Sequence, residues 1–159
     1  MLIDSGNVQV KRNRKYEPIV EKLCSRRFSH SNKPIFVYIK DLMVFAAMVG
    51  YSHDVTEELE AEPIQIILNT YASDEKDGFI YLIALLQEKN AECLKDGNIT
   101  DSVKYFERFC NGGLSVIKGW LDENPGDSES VDTLVDKIFE QIIKNNEIIS
   151  SSDLPQPVF

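Results

Sequence analysis

The longest nearly continuous apolar run in the chain is Pro34–Ser52, PIFVYIKDLMVFAAMVGYS, fenced by Pro34 and Gly50. Between Ile35 and Val49 only Lys40 and Asp41 are charged. A helix here would be apolar on almost every side, so the run is read as a buried central element. Leu42–Val49 is assigned to helix, and Val37–Asp41 is added to it. The β-branched and aromatic residues of Ile35–Ile39 leave open an extended entry, with Asp41 capping a helix that starts at Leu42. The run is too short to span a membrane, since its fifteen residues reach about 22 Å against a hydrocarbon core of about 30 Å.

On either side the pattern is amphipathic. Tyr16, Ile19, Val20, Leu23 and Cys24 recur at helical spacing, with Pro18 in the first turn, where a missing N–H is tolerated. Before them Val8 and Val10 alternate weakly, as in a strand. The acidic stretch His53–Ala61 is a surface loop or a short exposed helix. Ile64–Leu68 is a buried strand or a helical turn, a choice that periodicity cannot make over so few residues. Phe79 to Leu86 forms a helix, and Thr100 caps another through Val103, Phe106, Phe109 and Cys110. Asn111-Gly112-Gly113 either breaks that helix or marks a close approach of another backbone, since two glycines cost a helix interior roughly 1 kcal/mol each. Close packing against the central run is the more economical reading. Leu114, Ile117, Trp120 and Leu121 carry the pattern on until Asn124-Pro125-Gly126 stops it. Val131 to Ile143 gives a last, very regular amphipathic helix, with Ser128 or Ser130 as candidate caps.

The predicted fold is mainly α: a single compact helical domain of five or six helices around a buried central helix, with at most two short strands. Its expected bounds are an N-terminal extension over 1–9, the helical domain over 10–149 and a flexible C-terminal tail over 150–159.

Charge changes this picture. The net charge is −9, yet residues 1–40 hold nine Lys/Arg against three Asp/Glu, and residues 41–159 hold eight against twenty-three. An acidic body argues against wrapping nucleic acid over the whole surface, while a basic N-terminal segment can still meet phosphate or an acidic partner. The candidate contact residues are therefore Lys11, Arg12, Arg14 and Lys15, joined by Arg26 and Arg27 at the far end of the first helix. The competing reading is a solvated face that balances the protein's own acidic surface.

Catalytic chemistry is not legible in the residues. Metal-binding spacings such as H-E-x-x-H or C-x-x-C are missing, and His30 and His53 stand in polar connectors. The glycines of NGGLS match neither phosphate-binding fingerprint. Cys24, Cys93 and Cys110 are an odd count at wide spacing, which suits reduced thiols in a cytosol. No signal-peptide pattern opens the chain. The expectation is a cytoplasmic, non-enzymatic protein with no cofactor, no metal and no membrane partner.

Taken in order, RNRKYEPIVEKL, KPIFVYIKDLMVFAAMVGYS, EPIQIIL, FIYLIALL and YFERFCNGGLSVIKGWLDENPGD resemble the family called DNA phosphorothioation-associated protein 4, or Dnd system-associated protein 4. The resemblance covers about residues 10–127 and rests on packing motifs, of which KDLMVFAAMVGY and FERFCNGGLSVIKGWL are the most telling. It implies an accessory part in bacterial anti-phage defence by systems that place sulphur in the DNA backbone and restrict DNA lacking it. The expected partners are other protein components of that modification and restriction system, with a possible DNA contact through the basic N-terminal region. The alternative is a DNA-binding regulator, because a strand at Asn7–Lys11 followed by two helices has the order of a ribbon-helix-helix module. An enzyme with an unrecognised site is the third class, for which a buried carboxylate cluster in a cleft would be the sign.

Overall fold

The computed structural model of the chain describes residues 7–151. The expectations for residues 1–6 and 152–159 lie outside the described residues. The elements are strand β1 (Gln9–Arg12), helix α1 (Glu17–Cys24), helix α2 (Ile39–His53), strand β2 (Ile64–Ile67), helix α3 (Asn69–Ala72), helix α4 (Asp77–Glu88), helix α5 (Ile99–Glu123) and helix α6 (Val131–Ser151). Among the described residues, six helices and one two-stranded antiparallel sheet make the fold mainly α, as the pattern predicts. The chain forms two compact units, one ending at Gly119 and one beginning at Trp120.

In the first unit, the apolar run is the buried centre. Leu42, Met43, Val44, Ala46, Ala47, Val49 and Gly50 of α2 are all buried. The helix begins later than the pattern suggests. Tyr38 is extended (φ −119°, ψ 138°) at its N-cap, so Val37 and Tyr38 are not helical. The Phe36 N–H, 3.0 Å from the Leu23 carbonyl, ties the segment beside the end of α1, and the β-branched and aromatic residues there tolerate that conformation well. Phe45 is half-buried and stacks on Phe36, with ring centroids 5.4 Å apart.

Ile64–Ile67 resolves as a strand. It pairs with β1 in the register Val10 to Ile66 and Arg12 to Ile64. Pro18 lies in the first turn of α1, preceded by a 3-10 turn at Arg14–Tyr16. Asp54 closes α2 in the left-handed conformation (φ 53°), so the chain turns sharply into the acidic loop.

α5 runs unbroken through Asn111-Gly112-Gly113, so the glycines mark close approach and not a break. A Cβ on Gly113 would lie 1.7 Å from the Ala46 carbonyl oxygen of α2, and one on Gly50 would lie 2.1 Å from that of Phe109. A Cβ on Gly112 would lie 2.0 Å from the Val55 oxygen, in the loop leaving α2. The two adjacent glycines thus admit two different backbones. Around this crossing Cys110 Sγ lies 3.5 Å from Met43 Sδ, and the Tyr71 ring meets Phe106 edge-on.

In the second unit, α6 runs to Ser151, so residues 150 and 151 are helical. The Asp127 carboxylate accepts the Thr133 N–H at 2.8 Å, which makes Asp127, rather than Ser128 or Ser130, the side chain that caps this helix. Ser130 instead takes positive φ (66°) just before the first turn.

Candidate functional site

The six basic residues singled out in the sequence do not form one surface. Side chains alternate along a strand, so Lys11 and Arg12 of β1 point opposite ways, and Arg12 is only 4% exposed. Its guanidinium pairs with Glu17 at 2.7 Å. Lys15 pairs with Glu57 at 2.7 Å and with Glu60, which hold its ammonium well above the ordinary lysine range. Arg14 Nε donates to the Glu62 carbonyl at 3.2 Å from an exposed position. Arg26 and Arg27 are exposed beyond α1, in the stretch SRRFSHSNK (Ser25–Lys33), which contains no carboxylate.

The acidic loop is what receives Arg14 and Lys15. Asn13, fully buried, organises the contact. Its amide nitrogen donates to Glu57 Oε1 and to the Glu58 carbonyl, each at 2.9 Å, while its amide oxygen accepts the Glu60 N–H at 2.8 Å. Tyr16 donates its hydroxyl to Glu57. Burial pulls the Glu57 carboxyl upward, but hydrogen bonds from Lys15, Tyr16 and Asn13 outweigh it and leave the group below the usual glutamate range. The sequence places these charges thirty or more positions apart, so pattern reading had no signal for the pairing.

The outer edge of β1 is sealed as well. Glu107 and Asn111, one turn apart on α5, accept the backbone N–H groups of Lys11 and Asn13 at 2.7 and 2.8 Å. β2 occupies the opposite edge. A ribbon-helix-helix module needs its strand free to pair with that of a second copy, so the resemblance of element order to that module does not extend to its geometry.

Glu107 also lines a cleft of about 560 Å³ with Lys11, Leu59, Lys104, Tyr105 and Arg108. Burial lifts its carboxyl to about 7, against the lowering effect of the Lys11 N–H. It can hold a proton near neutral pH. Its neighbours there include Glu58, Glu88 and Asp101, and Arg108 and Lys104 pair with Glu58 and Asp101 at 2.7 Å. Among the described residues no three His, Cys, Asp or Glu side chains are grouped to hold a metal ion. Cys93 and Cys110 are buried free thiols, and burial pushes Cys110 up to about 12.

The surface that sequence reading missed is on α4. Asp77 and Glu88 bracket ten uncharged residues, GFIYLIALLQ. Ile80, Ile83 and Ala84 fill the core, yet Phe79, Leu82, Leu85 and Leu86 on the other side remain exposed. The clue in the sequence was apolar residues all round the helix, a pattern of fully buried helices.

Residues 9–153 match the family model of DNA sulphur modification system-associated protein 4. The chain belongs to that family. No curated protein and no solved structure matches it. The match extends past the region that carries the sequence resemblance and takes in α6. Membership ties the protein to a DNA sulphur modification system, and among the described residues no helix is long and apolar enough to cross a membrane.

Proposed function

We propose that this protein is a non-enzymatic accessory component of a DNA phosphorothioation-linked modification and restriction system, and that it acts by protein–protein contact through α4. The observation that carries the reading is the exposed row Phe79, Leu82, Leu85 and Leu86. Water-facing side chains of this size, contiguous on one helix and free of charge, are characteristic of surfaces that a partner covers. These side chains are 37–43% exposed, so covering the remainder is worth about 1 kcal/mol apiece, a contribution suited to a weak, reversible complex. Anti-phage defence, the role implied by such systems, enters as part of the same proposal.

Direct DNA contact is the second reading, supported by the exposed Arg14, Arg26 and Arg27. Leu82→Glu with Leu86→Glu tests the first, and Arg26→Glu with Arg27→Glu tests the second. The chain is co-expressed with the other proteins of the system, and co-purification and duplex DNA binding are measured for each variant after its fold has been confirmed. The α4 variant is expected to lose the protein partners while the arginine variant keeps them. Retention of every partner by the α4 variant would sink the proposal, and loss of DNA binding by the arginine variant alone would favour the second reading.

A further inference from the structure

The cleft lined by Glu107 contains a carboxyl that the chain leaves without a counter-charge. Glu107 is only 4% exposed, and its Oε1 accepts the Lys11 N–H at 2.7 Å. Among the described residues it stands in no ion pair. Lys11 and Lys104 favour its ionised form only from a distance. A buried carboxylate with one hydrogen bond and no paired cation keeps much of its desolvation cost, which an incoming positive group relieves.

The other charges of the cleft are already matched. Arg108 faces Glu58 and Lys104 faces Asp101, each at 2.7 Å, and the Tyr105 hydroxyl donates to Glu88. An anion would have to displace one of these carboxylates, whereas a cation meets in Glu107 a carboxyl with no such partner. With four carboxylates against three cations in its lining, the cleft favours positive charge.

The lining also narrows the kind of cation. No three His, Cys, Asp or Glu side chains among the described residues are grouped to hold a metal ion. Oε1 is committed to Lys11, so one carboxyl oxygen remains for the closest contact. That suits an ammonium, a compact point charge, better than a guanidinium, which pairs best with both oxygens at once. Leu59 and Tyr105, half-buried in the same lining, offer an aliphatic stem apolar surface and a ring face that attracts cations. The volume of about 560 Å³ lies within the range of small-ligand sites, and every lining residue belongs to the unit that ends at Gly119.

We infer that this cleft binds an alkylammonium group, with Glu107 as its anionic partner. A free polyamine and a lysine side chain of another protein are the two sources of such a group. The inference is independent of the reading of α4, whose exposed row lies outside this lining. Because burial lifts the Glu107 carboxyl to about 7, its ionised fraction climbs from about one tenth at pH 6 to about nine tenths at pH 8, while an alkyl amine stays protonated throughout. Affinity rises about tenfold between these values. Binding to ordinary surface carboxylates, ionised at both, would not change.

Isothermal titration of the full chain with putrescine, and with Nα-acetyl-lysine amide as the stand-in for a partner's side chain, reads binding at pH 6 and pH 8. Both amines are expected to bind, about tenfold more tightly at pH 8, and the tighter of the two identifies the source. Glu107→Gln, which keeps an acceptor for Lys11, is expected to weaken binding at least tenfold at pH 8 and to remove its pH dependence. Should that variant fold poorly, carbon-13 NMR of the Glu107 carboxyl in the wild-type chain gives a second measurement, and its titration midpoint is expected to fall under saturating amine. No binding of either amine up to about 10 mM at pH 8 overturns the inference. So does an affinity that is equal at the two pH values or unchanged in Glu107→Gln. Equal binding of Nα-acetyl-arginine amide would overturn the assignment to ammonium.

Discussion

Glu107 Oε1 accepts the backbone N–H of Lys11 at 2.7 Å across ninety-six positions of sequence. One turn further along α5, Asn111 does the same for Asn13. Residues i and i+4 of a helix are about 6 Å apart along the axis, and residues i and i+2 of a strand are about 6.6 Å apart, so a helix side can supply acceptors to a strand edge at matching intervals. β1 is thereby closed on the side away from β2 without a third strand.

This arrangement predicts a pH dependence. Burial raises the folded Glu107 carboxyl from 4.5 to about 7. Between those values the unfolded chain loses the proton and the folded chain keeps it, so this residue's contribution to stability declines as pH rises from about 4.5 and levels off above about 7. Glu107→Gln keeps an acceptor for Lys11 and removes the titration. Its stability relative to wild type should therefore increase between pH 5 and pH 8, by about 1–2 kcal/mol after allowance for solvent screening. Denaturant midpoints at the two pH values measure it, and a difference that stays constant would show that Glu107 does not titrate there.

The glycine crossing makes a sharper steric prediction. Any Cβ at Gly113 meets the Ala46 carbonyl oxygen at 1.7 Å, and backbone of a packed helix cannot step aside cheaply. Gly113→Ala should cost about 3 kcal/mol or more despite the better helix propensity of alanine. Gly119, also in α5, would meet nothing within 4 Å, so Gly119→Ala should gain up to about 1 kcal/mol. Thermal melts of the pair compare the two effects within one helix.

Asn13→Ala should be costly for a different reason. It removes the side chain that bonds Glu57, Glu58 and Glu60 at once and leaves part-buried groups of the loop without their partner. A loss of about 2–4 kcal/mol is expected, with the acidic loop first to show increased hydrogen exchange. Uniform protection in that loop would contradict its anchoring by Asn13.

The basic residues should divide by position. Arg12→Glu places a carboxylate beside Glu17 in a buried site, and a loss of about 3–5 kcal/mol is expected. Arg26→Glu and Arg27→Glu, at exposed positions, should leave the melting temperature within about 2 °C of wild type. A binding experiment that reverses Arg12 would therefore report unfolding, and only the second pair isolates a surface contact.

The sequence by itself determined most of the helices and the centre of the core. An apolar run at Leu42–Gly50, stripes at Ile19–Leu23 and Val103–Leu121, and proline and glycine punctuation are local signals, because secondary structure and burial follow from periodicity along the chain. The NGG motif also announced a close approach, though not that its three residues would serve a strand edge, a loop and a helix in turn. The tertiary structure alone decided where the charges go. Lys15 and Glu57, or Arg12 and the core around it, are brought together by chain reversals, and a run of basic residues on paper becomes ion pairs, a buried guanidinium and a few exposed arginines. It also decided which apolar stripes are core. The stripe of α5 is buried and that of α6 is exposed, although both have the same helical period. Periodicity states that a face needs a partner, and only the packed chain shows whether the molecule itself supplies one.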